Sequence, residues 1–191
     1  MHASQFQVGA QRMYLGYGSN LWREQMTLRC SSSTYQGIGR LSGYRWMING
    51  RGYANIVPSE SAKDVVYGLI YDLTPSDESA LDVNEGVPFA YTKETIAVDF
   101  WASVDGRCPI EMTGEGSKRD MLVYIDRERT EDGKPREEYI FRMNMGIKDG
   151  IEAGIPKDYV DRVLRLFIPE VERKEVEEMA RKQALSFQDE K

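Results

Sequence analysis

Two stretches of this chain repeat with a period of two, and they constrain its fold more than anything else in it. In VVYGLIYDL (65–73), Val65, Tyr67, Leu69, Tyr71 and Leu73 share one face, and in TKETIAVDFW (92–101), Ile96, Val98 and Phe100 do. That is the period of a strand, where successive side chains point to opposite sides. Similar short strands are predicted over MYLGY (13–17), GYRWMING (43–50), YANIVPS (53–59) and MLVYID (121–126), the middle two separated by a glycine turn. Residues 102–120 read as turn-rich and 127–138 as a solvated loop.

Helices are fewer. TPSDESALDVNEG (74–86) has Thr74 as N-cap, Pro75 at its first position, Asp77 in a capping-box position and Gly86 as its stop, with Pro88 beyond. A helix is expected around NLWREQMTLRC, and another over IPKDYVDRVLRLF (155–167), which gathers Tyr159, Val163, Leu166 and Phe167 on one side. Strands with interspersed helices, and no regular β-α alternation, indicate an α+β fold around a largely antiparallel sheet, open or closed into a small barrel.

At 191 residues the chain is expected to form one main domain. Residues 1–12 read as a flexible lead-in, 13–168 as the domain, and 169–191 as a charged, solvated C-terminal helix. No apolar run approaches the roughly 20 residues of a membrane span, and the first residues lack an apolar signal core, so a cytoplasmic protein is expected. Two cysteines, Cys30 and Cys108, are too few for a disulfide framework or a cysteine metal site.

A net charge of −6 disfavours nucleic acid as a partner. The charge is uneven: residues 1–60 hold six arginines against Glu24 and Glu60, which suits either a small anionic ligand or a solvated basic face. His2 is the sole histidine, so neither a Ser-His-Asp site nor a histidine zinc site has its imidazoles. An enzyme built on this chain would draw its acid–base group from the carboxylates.

GYGSNL (16–21) closes the first strand with a turn of glycine, serine and asparagine. Such turns can gather backbone N–H groups around an anion, or they can simply end a strand. Both nucleotide signatures, G-x-x-x-x-G-K-[ST] and G-x-G-x-x-G, are missing from it. Glu85 stands out among the acidic residues because it ends the 74–86 helix beside the apolar stretch GVPFAY. The negative end of a helix and partial burial both raise a carboxyl pKa toward the range useful for proton exchange; an exposed glutamate at a helix end would have the same sequence.

Taken in order, GYGSNL, then LDVNEGVPFAY about 65 residues later, then EEYIFRMNMGIKDGIEAGIPKDYV, the chain resembles the γ-glutamylcyclotransferase (AIG2-like) family from about residue 13 to 168. The resemblance implies a small mixed β-barrel flanked by helices, with a pocket at one end. It implies an enzyme without cofactor or metal. The substrate would be a small γ-glutamyl amide or peptide, whose α-amine attacks its own γ-carbonyl to give 5-oxoproline and release the attached amine. It assigns Glu85 as the catalytic acid–base. Tyr17, Gly18, Ser19, Asn20, Leu21 and Trp22 would cradle the glutamyl α-carboxylate and carbonyl, and Tyr91 and Tyr139 would wall the pocket. Alternatives are a same-fold enzyme acting on glutathione conjugates, a γ-glutamyl-binding protein without turnover, and an interaction protein using the charged C-terminal helix. GYRWMINGRGYAN reads mainly as a hairpin, and neither Cys30 nor Cys108 has a partner base.

Overall fold

In a computed structural model, residues 10–106 and 108–170 are described. The expected charged helix over 169–191 and most of the lead-in over 1–12 therefore lie outside them. Strand β1 (Arg12–Gly16) runs into a single 3-10 turn (Ser19–Leu21) and helix α1 (Arg23–Arg29). Then come β2 (Thr34–Ser42), β3 (Tyr44–Ile48), β4 (Ala54–Pro58), β5 (Val65–Leu73) and helix α2 (Pro75–Asn84). Strands β6 (Thr92–Ala102) and β7 (Ser117–Ile125) follow, then α3 (Glu137–Ala153), α4 (Lys157–Arg162) and a 3-10 turn (Leu164–Leu166).

Five strands close into a barrel in the order β1-β5-β2-β6-β7, while β3 and β4 form a separate hairpin. Four neighbouring pairs are antiparallel; only β1 and β7, which close the ring through Tyr14 and Leu122, run parallel. Side chains of Ile70, Val98 and Leu15, from β5, β6 and β1, converge over Gly39 of β2. Strands β1 and β6 are not neighbours, so this meeting point lies inside the barrel. The set containing Val66 and Ile70 thus faces the interior, and the alternating set Val65 to Leu73 faces outward. That outer face is covered in turn: Tyr67 packs edge-on against Tyr159 at 5.0 Å and Tyr71 against Tyr35 at 6.2 Å.

Two elements were not expected, and one expectation needs correcting. Strand β2 is central to the barrel, yet its pattern is obscured by Gly37 and Gly39 and by a register shift between Tyr35 and Gly37. Residues 137–153 form a 17-residue helix, α3, closed by Gly154 at φ +116°. Its buried residues Tyr139, Arg142, Met143, Gly146, Ile147, Gly150 and Ala153 follow a helical period. A Cβ at Gly146 would stand 2.8 Å from Leu21 Cβ and 3.0 Å from Trp22 N, so this glycine lets α3 press against the turn after β1. The helix expected over 155–167 is one short helix and a 3-10 turn, and Leu166, assigned to its apolar side, is 75% exposed.

Candidate active site

Helix α2 begins and ends on sequence-local devices. Thr74 Oγ1 accepts from Asp77 N at 3.2 Å, and Asp77 Oδ2 accepts from Thr74 N at 3.0 Å, a complete capping box. At the other end Gly86 takes φ +62°, its N–H donates to Val83 O, and Val87 N–H donates to Asp82 O. This is a Schellman closure, and it makes Glu85 the C-cap of α2. One turn earlier, Asp82 accepts from Tyr124 Oη at 2.7 Å and from Lys93 Nζ at 2.9 Å, fastening α2 to β7 and β6. The Glu85 side chain is thereby held against the barrel, 8% exposed.

The turn after β1 meets it there. Asn20 Nδ2 donates to Glu85 Oε1 at 3.1 Å and to Tyr14 Oη at 2.8 Å. The Tyr139 hydroxyl of α3 accepts from Ser19 N at 3.1 Å and from Ala54 N at 3.2 Å, tying the turn to the hairpin. Trp46 Nε1 donates to Tyr17 O at 3.0 Å from the same hairpin. Asp126, at the end of β7, receives Asn49 Nδ2 and, through its carbonyl, Asn55 Nδ2, which fixes where Ala54 lies.

These elements enclose a narrow cleft of about 30 Å³, lined by Tyr14, Tyr17, Gly18, Ser19, Asn20, Ala54, Glu85, Tyr91, Tyr124 and Tyr139. Seven of the nine residues expected from sequence are brought together in it. Leu21 and Trp22 are not: both are buried to 1% in the core, Trp22 packs against Phe141, and their N–H groups donate to Gly18 O and Ser19 O within the turn. Tyr14, Ala54 and Tyr124 were not anticipated. Tyr14 and Tyr124 lie on strands that were recognised, but which face of a strand meets a helix far along the chain is not a local property.

Several cleft hydroxyls have structural duties. Tyr17 donates to Tyr124 O at 2.6 Å and Tyr91 to Ala54 O at 2.8 Å. Burial pushes the Tyr14 and Tyr17 hydroxyls well above the ordinary tyrosine range, and the neighbouring Glu85 pushes them further the same way. Burial and the hydrogen bond to Asp82 likewise raise Tyr124. These shifts favour the protonated phenol at all three positions, and Glu85 is the one carboxylate lining the cleft. Cys30 is pushed up to about 12 by burial and then by Asp77, which favours the thiol over the nucleophilic thiolate.

A larger groove of about 530 Å³ runs past Trp46, Tyr67, Tyr159 and Phe167. It lacks the combination of a buried carboxylate with a turn of polar donors, so the chemistry points to the smaller cleft. Among the described residues no group of three or more His, Cys, Asp or Glu is placed to hold a metal ion, and no helix is long and apolar enough to cross a membrane.

Comparison with known proteins converges on one family. The model for the γ-glutamyl cyclotransferase, AIG2-like family matches residues 14–140. A γ-glutamylcyclotransferase of Mus musculus is 27% identical over 165 residues, 82% of this chain and 79% of the relative. A solved γ-glutamyl cyclotransferase superposes with a TM-score of 0.67 at 23% identity, over 90% of this chain and 99% of that one. An uncharacterised protein of Homo sapiens superposes with a TM-score of 0.68 at 23% identity, over 91% and 98%. Both superpositions share the mixed barrel and its helices.

Proposed function

Because the chain belongs to the γ-glutamyl cyclotransferase, AIG2-like family, we propose that it cleaves γ-glutamyl amides or peptides by cyclising the glutamyl group, releasing 5-oxoproline and the attached amine. The observation that carries this reading is the pairing of Glu85 with Asn20 across the cleft, which sets one buried carboxylate beside a turn of hydrogen-bond donors.

The Gly18–Ser19 segment receives the glutamyl α-carboxylate and carbonyl, with Tyr17, Tyr91 and Tyr139 as walls. Glu85 accepts a proton from the α-ammonium, and the freed amine attacks the γ-carbonyl carbon. As the tetrahedral intermediate collapses, the bond to the departing nitrogen breaks and Glu85 delivers the proton there. Two protons leave the α-nitrogen in all and both end on the departing amine, so the reaction is balanced without water or a cofactor. The nucleophile belongs to the substrate, and holding it folded is worth on the order of several kcal/mol. A donor from the Gly18–Ser19 segment placed on the carbonyl oxygen stabilises the charge that develops on it. In this reading the leaving group faces segment 126–138, which joins Tyr124 to Tyr139 beside the cleft, whereas segment 102–120 lies at the other end of β6 and β7.

The test is mass spectrometry of protein incubated with glutathione, γ-glutamyl-alanine and γ-glutamyl-ε-lysine. Formation of 5-oxoproline by the wild type, falling about 10²- to 10⁴-fold in a folded Glu85→Gln variant, is the expected result. Turnover unchanged in that variant would overturn the role of Glu85, and a wild type silent on all three would exclude simple γ-glutamyl peptides.

A further inference from the structure

Behind the cleft, a second layer of buried polar side chains runs from α3 through α1 to the turn after β1. Arg142 is fully buried. Glu138 holds it from one side, accepting from Nε at 2.8 Å and from NH2 at 3.2 Å, and its guanidinium lies 4.9 Å from the centre of the Tyr139 ring. Its NH1 donates to Ser19 Oγ at 3.3 Å and to Gln25 Oε1 at 3.5 Å. Gln25, 1% exposed, donates through Nε2 to Ser19 Oγ at 3.1 Å and to Asn20 Oδ1 at 2.8 Å. Arg29 NH1 adds a second donor toward Asn20 Oδ1 at 3.4 Å.

The two ends of a carboxamide are nearly equal in shape, so its orientation is chosen by its partners. A guanidinium can only donate and a carboxylate can only accept. Arg142 therefore turns the Gln25 oxygen toward itself and leaves the Gln25 nitrogen facing Asn20. Gln25 and Arg29 then hold Asn20 Oδ1, which directs Asn20 Nδ2 onto Glu85 and Tyr14. Ser19 is polarised by the same pair: with Gln25 Nε2 and Arg142 NH1 donating to its oxygen, its hydroxyl proton is left to donate away from them.

We propose that Gln25 and Arg142 are positioning residues that set the hydrogen-bond polarity of the cleft, committing Ser19 and Asn20 to act as donors. Neither lines the cleft. Both Asn20 donors are spent on Tyr14 and Glu85, so Asn20 orients the carboxylate and the Ser19 hydroxyl is the donor left for a ligand presenting an acceptor oxygen, a carboxylate or an amide carbonyl; in this respect the inference rests on the reading of the site given above.

Gln25→Glu tests it, because the variant keeps the shape and loses the donor. A carboxylate at this position accepts from Arg142, which keeps the layer paired, but it also accepts from Ser19 and Asn20 and so turns both away from the cleft. The expected result is a folded protein with an unchanged melting transition within a few degrees. In the free protein, the Asn20 side-chain amide NMR signals shift and exchange faster with water. The kcat/KM for γ-glutamyl-alanine falls on the order of 10- to 100-fold. Arg142→Lys, which keeps a donor-only cation, retains most of the activity, whereas Arg142→Met does not. Wild-type amide signals and rates in Gln25→Glu would overturn the proposal, as would equal activity in the Arg142→Lys and Arg142→Met variants. If Gln25→Glu fails to fold, the Arg142 pair decides by the same amide signals. The NMR readout needs no turnover, so a wild type that forms no 5-oxoproline defeats the functional reading while leaving this one to be judged by the Asn20 signals.

Discussion

Asn20 Nδ2 lies 3.1 Å from Glu85 Oε1, across 65 residues of chain and between two elements that share no local structure. The four hydrogen-bonding positions of the Asn20 carboxamide are all taken by protein groups: Gln25 and Arg29 on the oxygen, Tyr14 and Glu85 on the nitrogen. Its side chain orients the carboxylate and leaves ligand binding to its neighbours.

Replacing Asn20 by alanine removes a neutral donor from a buried carboxylate. A hydrogen bond to a charged group is worth about 1.5–3 kcal/mol, so kcat/KM is expected to fall by about one to two orders of magnitude. Asn20→Asp is expected to be worse, because it sets a second carboxyl against Glu85 and favours a shared proton. Steady-state kinetics of both variants on one γ-glutamyl dipeptide checks the order.

Tyr139 reaches the cleft from α3, and its hydroxyl oxygen accepts from two buried N–H groups, Ser19 and Ala54. In Tyr139→Phe both donors lose that acceptor. Leaving a buried donor unpaired costs about 1–3 kcal/mol, so urea denaturation is expected to show a loss of about 2 kcal/mol or more. KM is expected to rise as the turn loosens.

The two ends of α2 can be separated experimentally. Thr74→Ala removes the cap and is expected to cost about 1 kcal/mol without affecting turnover. Gly86→Ala costs a similar amount, about 1 kcal/mol for a left-handed residue with a Cβ, which would also stand 3.0 Å from Ala90 Cβ. Because it disturbs the residue after Glu85, this variant alone is expected to lose activity as well. Parallel melting and rate measurements distinguish them.

Acid should weaken the barrel through two carboxylates on β6. Hydrogen bonding to Arg127 holds Glu94 below its ordinary pKa. Burial pushes Asp99 up, but hydrogen bonds from Lys118 and Arg40 outweigh it and hold this group low as well. A depressed folded pKa stabilises fully above the unfolded value of about 4 and is lost as pH falls through the folded value. The double variant Glu94→Gln, Asp99→Asn is therefore expected to be less stable at pH 7, with a shallower loss of stability below pH 4. Denaturation midpoints at pH 7, 4 and 3 provide the check; because the cationic partners remain partly or largely solvent-exposed, the contribution is modest.

Much of this protein is written locally. The capping box at Thr74, the Gly86 stop and therefore the position of Glu85 at a helix end follow from neighbouring residues, because caps are made within a few positions of one another. The strand period over 65–73 and 92–101 and the turn at GYGSNL are equally local, and the order of motifs was enough to identify the family. The tertiary structure decided what these pieces meet. Strand β2 became a barrel wall despite its two glycines because both its edges are paired. Tyr14 and Tyr124 became cleft residues because the barrel closes β1 on β7 beside α2. Leu21 and Trp22 were taken into the core because α3 presses on them at Gly146. The direction in which the Asn20 amide points depends on an arginine 122 positions further along the chain, since buried polar groups are satisfied by whatever partner packing supplies. Helix ends and strand periods are short-range properties; a polar cleft is assembled from long-range contacts.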